Sequence, residues 1–300
     1  MWLSLAFLSA LLLGFYEIFK KTALDGNAVI PVLFLNTVFC SLLFLPVIVL
    51  SYCFPEVIRD TMFYVPRVPF STHLLIILKS VIVLSSWIFA YFSTKHLPIT
   101  IAGTIRATQP VLTLLGALLV FGERLNLYQW IGVLLALLSF YMLSAAGKKE
   151  GINFKHNRWI FFLVLATLFG ATSGLYDKYL MMHVDRMTVQ VWYTWYQIPM
   201  MGAILLFVWY PKRKQSTPFQ WRSSIFFISF FLVIADFVYF YALSFPDSMI
   251  SIVSMVRRSN VVVSFIAGAI IFREKNLKSK AFDLLLVLIG MLFLYIGSKA

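Results

Sequence analysis

Arg106 and Arg257 each stand inside a stretch that is otherwise apolar, and each carries similar neighbours at helical spacing. Gly103, Gln109 and Thr113 lie at i−3, i+3 and i+7 from the first; Ser254, Asn260 and Ser264 hold the same places about the second. Those spacings fall on one helix face, so each face offers a small residue, a guanidinium, an amide and a hydroxyl. Guanidinium groups bind carboxylates and phosphates through two parallel N–H donors, and the two faces together suit a small polar or anionic molecule. A second role is open: pairing with buried acids to hold a bundle together, for which Glu17, Asp177 and Asp236 are available. Either role must offset an insertion cost of about 2.5–3.5 kcal/mol for an arginine at mid-membrane depth.

Within the apolar stretches Lys79, Arg106, Lys178, Arg257 and Arg258 outnumber those three acids, although Asp283, nearer a helix start, narrows the gap. The excess tilts the expected substrate toward an anion. Asp236 is the leading candidate for carrying a coupled proton, with Glu17 and Asp177, closer to helix ends, behind it. Lys79 is placed to snorkel toward the interface, and Arg258, turned about 100° from Arg257, to pair structurally. Trp87, Tyr91 at i+4 from it, and Tyr239 are the aromatic residues expected at a cavity. Pro110 lacks an N–H, which leaves the Arg106 carbonyl without its helical partner and predicts a kink. No HExxH, GxSxG or paired-aspartate motif is present, no GxxxxGK[ST], and Cys40 and Cys53 have no metal spacing. Neither an enzyme nor a metal or other cofactor is expected.

The elements that must position these groups are membrane spans. Of 300 residues, 61% are hydrophobic and 12% charged, against about 45–50% and about 25% in soluble domains; mean hydropathy is +0.88. Such a chain cannot cover a globule with polar surface, which excludes a soluble enzyme, a disulfide-rich secreted module and a disordered tail. The net charge of +13 is split among loops between apolar stretches, which points away from nucleic acid. Windows of about 20 residues cross the hydrocarbon core. Ten occur, near 2–22, 28–51, 72–95, 97–121, 126–146, 158–181, 187–210, 223–244, 247–272 and 278–298. The first is followed by Lys20-Lys21 and lacks a basic leader, so it reads as a retained helix rather than a cleaved signal. Residues 53–71, with three prolines, read as a loop. The expectation is an all-α integral membrane protein of ten transmembrane helices, multi-pass in a bacterial inner membrane. Its partners are the lipid bilayer and a small-molecule substrate, with a homodimer left open.

The two halves repeat. A shift of 160 puts Ala6, Ala10 and Gly14 on Ala166, Gly170 and Gly174, and Tyr16-Glu17 on Tyr176-Asp177. A shift of 148 puts Tyr91-Phe92 on Tyr239-Phe240, and one of 151 puts Arg106 on Arg257 and Glu123 on Glu274. The chain therefore divides into residues 1–146, a linker at 147–157 and residues 158–300. Five spans being odd, the second unit enters the membrane from the opposite side. Inverted repeats of this kind build secondary transporters with the site near midplane.

Leu97-Pro98, Gln109-Pro110-Val111, Phe121-Gly122-Glu123-Arg124-Leu125 and Gly132, all within Tyr91–Tyr141, resemble the EamA-type repeat of the drug/metabolite transporter superfamily. Residues 239–296 look like a second copy, with Val261, Arg273 and Asp283 in place of Pro110, Gly122 and Gly132. The resemblance covers essentially the whole chain. The leading expectation is a secondary transporter that moves a small polar or anionic metabolite, such as an amino acid or organic acid, by alternating access, and the resemblance implies export or exchange of small metabolites. It further implies a cavity lined mainly by spans one, three, four, six, eight and nine, and a structural role for the motif holding Glu123 and Glu274. A flippase for a phosphorylated lipid carrier is the alternative. Outside span interiors, the loops after odd-numbered spans carry fifteen Lys and Arg, against five in the even loops and C-terminus, which places both termini outside.

Overall fold

The computed structural model describes residues 2–121, 126–148, 156–245, 253, 256–274 and 277–299. Ser254, a member of the polar face about Arg257, and Glu123 lie outside the described residues. All regular structure among the described residues is helical. The elements are α1 (Trp2–Leu24), α2 (Val29–Cys53), the short α3 (Pro55–Ile58), α4 (Phe70–His96), α5 (Ile99–Ala107) and α6 (Gln109–Phe121). After them come α7 (Leu127–Lys148), α8 (Arg158–His183), α9 (Arg186–Ile204), α10 (Ser224–Leu243), α11 (Asn260–Ile270) and α12 (Leu277–Lys299). Among the described residues, seven segments are long and apolar enough to cross a membrane: α1, α2, α4, α8, α9 continued to Lys212, α10 and Lys280–Gly297 of α12.

The expected span at 97–121 is one helix broken into α5 and α6 at Thr108, two residues before Pro110. Thr108 forms a turn whose amide and hydroxyl both donate to the Ile105 carbonyl, at 3.1 and 2.7 Å. A hydroxyl that takes a local carbonyl competes with the helix ladder. Ser259 stands 151 residues later and does the same. Its amide and hydroxyl donate to the Val256 carbonyl at 3.0 and 2.6 Å, separating the helical turn 256–258 from α11. The second break has no proline near it, since Val261 occupies the place of Pro110.

The molecule is inside-out by the standard of a soluble protein. Phe7, Leu11 and Phe15 on α1, Leu74 and Leu78 on α4, Phe161 and Leu168 on α8, and Phe226 and Phe230 on α10 face outward. Ser9, Asn36, Thr37, Ser80, Gln190, Thr194, Gln197 and Ser229 are buried. An apolar exterior over a polar interior suits lipid as the surrounding solvent. Hydroxyls tie helix to helix: Ser9 Oγ donates to the Ala235 carbonyl at 2.8 Å, and Ser86 Oγ to that of Ala166 at 2.7 Å. Lys20 and Lys280, loop cations by sequence, are fully buried against Glu17 and Glu274. Removing those two from fifteen leaves thirteen, still against five.

Contacts exchange between the halves. Helix α1 runs along α10 and against α11, while α8 runs along α4 and against α5 and α6; α2 meets α9, and α7 meets α12. Small residues permit the close approach. A Cβ added at Gly14 would overlap the side chain of Val263 on α11, whereas one at Gly174 meets nothing within 4 Å. Gly14→Leu is therefore expected to destabilise the fold by about 1–3 kcal/mol, read as a lower apparent Tm in detergent. Gly174→Ala is expected to leave that Tm in place.

One end of the bundle is closed by cross-ties. Lys21 Nζ donates to the Thr94 and Leu97 carbonyls at 2.7 and 2.6 Å, Arg222 to the Thr22 carbonyl at 2.8 Å, and Lys95 to Thr217 at 2.7 Å. Asn27 and Gln220 exchange two bonds of 2.7 and 2.8 Å. The Glu274 carboxylate accepts from the Ile99 and Thr100 amides, satisfying donors that the first turn of α5 leaves free. These ties lie at the C-terminal ends of α1 and α4, the N-terminal ends of α5 and α10, and just past the C-terminal end of α11.

Candidate functional site

A cavity of about 110 Å³, taken as the space open to the centres of water molecules, lies among α1, α4, α5, α6, α8, α10 and the turn at 256–258, with Tyr193 added from α9. One water needs roughly 10–15 Å³ by that measure, so the hollow has room for a small molecule. Arg106 and Arg257 both reach it, each two residues before the break in its helix. The breaks thus put the arginines on the last turn of a half-helix, beside a chain that is locally not α-helical.

Each arginine is also held by an acid, the structural pairing that the sequence left open. Arg106 donates to Glu17, and Arg257 to Asp236. Glu17 is shared, because Lys20 Nζ lies 2.6 Å from its other oxygen. Asp236 also accepts from the Tyr193 hydroxyl at 2.7 Å. Aromatic faces complete the setting: Arg257 lies 4.0 Å from the Tyr239 ring centroid, and Lys20 lies 4.6 Å from that of Tyr16. Ring faces attract cations most where water is excluded.

The acids do not follow the repeat. Glu17 on α1 takes the arginine of its own half, and Asp177, its counterpart on α8, would by symmetry take Arg257. Asp236 on α10 takes Arg257 instead, and Asp177 pairs with Lys79 on α4. The places equivalent to Asp236 and Lys79 under the 148-residue shift are Ile88 and Phe227, so these two charges belong to one half each. Lys79 is only 2% exposed, with its ammonium 4.9 Å from the Tyr193 ring. It stays inside rather than snorkelling to the interface. Arg258 lines the cavity beside Arg257.

Of the residues singled out by sequence, Arg106, Gln109, Thr113, Arg257, Trp87, Tyr239, Asp236 and Asp177 line the cavity together. Glu17 sits just behind Arg106. Tyr91 is fully buried behind Tyr16, with Lys20 5.4 Å above its ring. Asn260 and Ser264 do not line the cavity. Ser264 Oγ bonds the Asn260 carbonyl at 3.3 Å and packs on Gly103, where an added Cβ would lie 3.7 Å from it and 2.9 Å from Val261. The amide of Gln109 fits against Gly170, whose added Cβ would lie 2.7 Å from Oε1. Tyr16, Lys79, Gly174, Tyr193 and Arg258 are among the lining residues that sequence reasoning did not place at a cavity. The small-residue stripe through Gly170 and Gly174 is the signal that marks the wall contributed by α8. No described cluster of His, Cys, Asp and Glu is arranged to hold a metal.

Comparison with known proteins adds the following. A family profile described as "EamA-like transporter family" matches residues 1–145 and 157–296. A solved structure known only as "Crystal structure of protein" aligns over 97% of this chain and 98% of its own, with a TM-score of 0.61 and 15% identity. That likeness is one of fold. No curated protein matches the sequence.

Proposed function

The chain belongs to the EamA-like transporter family, within the drug/metabolite transporters, and we propose that it moves a small polar or anionic metabolite, such as an organic acid or an amino acid, by alternating access. It would act as an exporter or exchanger in a bacterial inner membrane. The observation that carries the reading is a polar hollow with an arginine from each half in its wall, inside a protein whose exterior is apolar. A transport site needs charge recognition at mid-depth together with a lipid-compatible surface, and that combination has no use in a purely structural bundle.

In this reading residues 1–146 and 158–300 are two inverted five-helix units joined by 147–157, giving ten spans. Arg106, Gln109, Thr113 and Arg257 contact the substrate, with Trp87 and Tyr239 beside it. Asn260, Ser264 and Tyr91 support from outside the cavity. The breaks at Thr108 and Ser259 are the hinges, because a helix that has already surrendered a ladder bond bends there at little further cost. The Lys and Arg excess assigns the cross-tied end to the cytoplasm, so the conformation described is closed on that side. Asp236 is the acid best placed for proton coupling, ahead of Glu17 and Asp177: its protonation would release Arg257 to an anionic group.

Proteoliposomes loaded with candidate organic acids and amino acids test the reading. Arg106→Gln and Arg257→Gln keep a hydrogen-bond donor but lose the charge, and both are expected to lose most of the flux while remaining folded by size exclusion. Unchanged flux in both would refute the site. Asp236→Asn is expected to abolish the pH-gradient dependence of uptake; a preserved dependence would remove the proton from the scheme.

A further inference from the structure

We propose that the cavity takes a small organic anion carrying two negative charges, as a phosphate monoester or a dicarboxylate does, and that Arg258 is the residue that binds it. The inference rests on the transport reading and narrows it. Four cationic side chains stand in the cavity wall, Lys79, Arg106, Arg257 and Arg258, and Lys20 lies behind them against Glu17. Among the described residues three carboxylates answer these five. Asp177 is taken by Lys79, Asp236 by Arg257, and Glu17 is divided between Arg106 and Lys20. Five cations less three anions leave two positive charges in excess. Arg258 is the cation with no described acid at ion-pair distance.

The surplus has a consequence in a low-dielectric setting. Like charges repel strongly there, and an uncompensated buried cation is costly. Arg258 stands next to Arg257 in the chain and shares the cavity wall with Arg106, so the local potential is positive. The buried Arg257 Nε also has no hydrogen-bond partner among the described residues, leaving a second donor in the same wall. Asp283, the other buried acid of the second half, lies on α12 away from the cavity wall, with its backbone carbonyl accepting from Ser139 of α7. A zwitterionic amino acid brings no net charge and leaves the excess as it was. A dianion cancels it. Open space at Gly174 and the rings of Trp87 and Tyr239 are left for its organic part.

Thermal unfolding of the purified full-length protein tests this, with glycerol 3-phosphate and succinate as dianions, alanine as the zwitterion and phosphatidic acid in mixed micelles as a lipid-borne phosphate. Glycerol 3-phosphate or succinate is expected to raise the apparent Tm by roughly 2–5 °C at saturation, and alanine not at all. Arg258→Gln is expected to lose that rise while its unliganded Tm is no lower than that of the wild type. Arg258→Lys keeps part of the rise, and Arg213→Gln, an exposed change, keeps all of it. An equal rise in Arg258→Gln, or no rise with either soluble dianion, overturns the inference. Stabilisation by phosphatidic acid alone also overturns it and favours a flippase. Flux into proteoliposomes separates this inference from the transport reading. Alanine uptake that Gly174→Leu blocks would keep the transporter and refute the anion. Arg258-dependent stabilisation without flux of the stabilising dianion would keep the anion site and refute the transporter.

Discussion

Gly174→Leu is expected to reduce transport roughly ten- to a hundredfold with the fold intact. A Cβ at this position meets no atom within 4 Å, and the residue lies in the cavity wall. The added side chain therefore projects into the space assigned to substrate rather than into packed helix. Overpacking costs about 1–3 kcal/mol where space is needed, and each 1.4 kcal/mol of lost binding is about tenfold. The control is Gly14→Leu, at the equivalent place on α1, where the new side chain strikes Val263. That variant should lower stability, and Gly174→Leu should lower flux. If Gly174→Leu transports normally, the hollow is not the path.

Asp236→Ala should be the most destabilising single change at the site, by about 3–5 kcal/mol, because it strands Arg257 in the interior without its acid. It also leaves the Tyr193 hydroxyl without its acceptor. Replacing both partners, as Asp236→Leu with Arg257→Met, should restore most of the stability, since neutral isosteres of a buried ion pair are often no worse than the pair itself. Flux should not return, as the guanidinium is gone. Chemical unfolding in detergent reads the first quantity and proteoliposome uptake the second. Restored flux in the double variant would mean that the pair serves only to hold α10 against the turn at 256–258.

Particular residues show how far the sequence reaches. Arg106 and Arg257 announce themselves because charge inside an apolar run is a local anomaly, and their matching neighbours follow from helical spacing alone. The family resemblance rests on the same local motifs. Which acid each arginine meets is a tertiary matter. Asp177 and Asp236 are equally plausible partners for Arg257 from the sequence, and only the packing of α8, α4 and α10 assigns one to Lys79 and the other to Arg257. The breaks are half legible. Pro110 points to the first, but the feature both breaks share is an amide that bonds three residues back rather than four, at Thr108 and Ser259, and no residue type announces that turn, since helical serines and threonines bond nearby carbonyls in unbroken helices as well. Lys20 and Lys280 mislead a count of loop charges because position near a span end says nothing of burial.

Accessibility at position 174 tests the central claim most directly. Cys40 and Cys53 are the two native thiols; with both replaced, Gly174→Cys offers one thiol in the hollow. Alternating access through this cavity predicts that a membrane-impermeant thiol reagent modifies it from either face of sealed proteoliposomes, and that transported substrate protects it. A thiol that reacts from neither face, or from one face only under all gradients, would contradict the account.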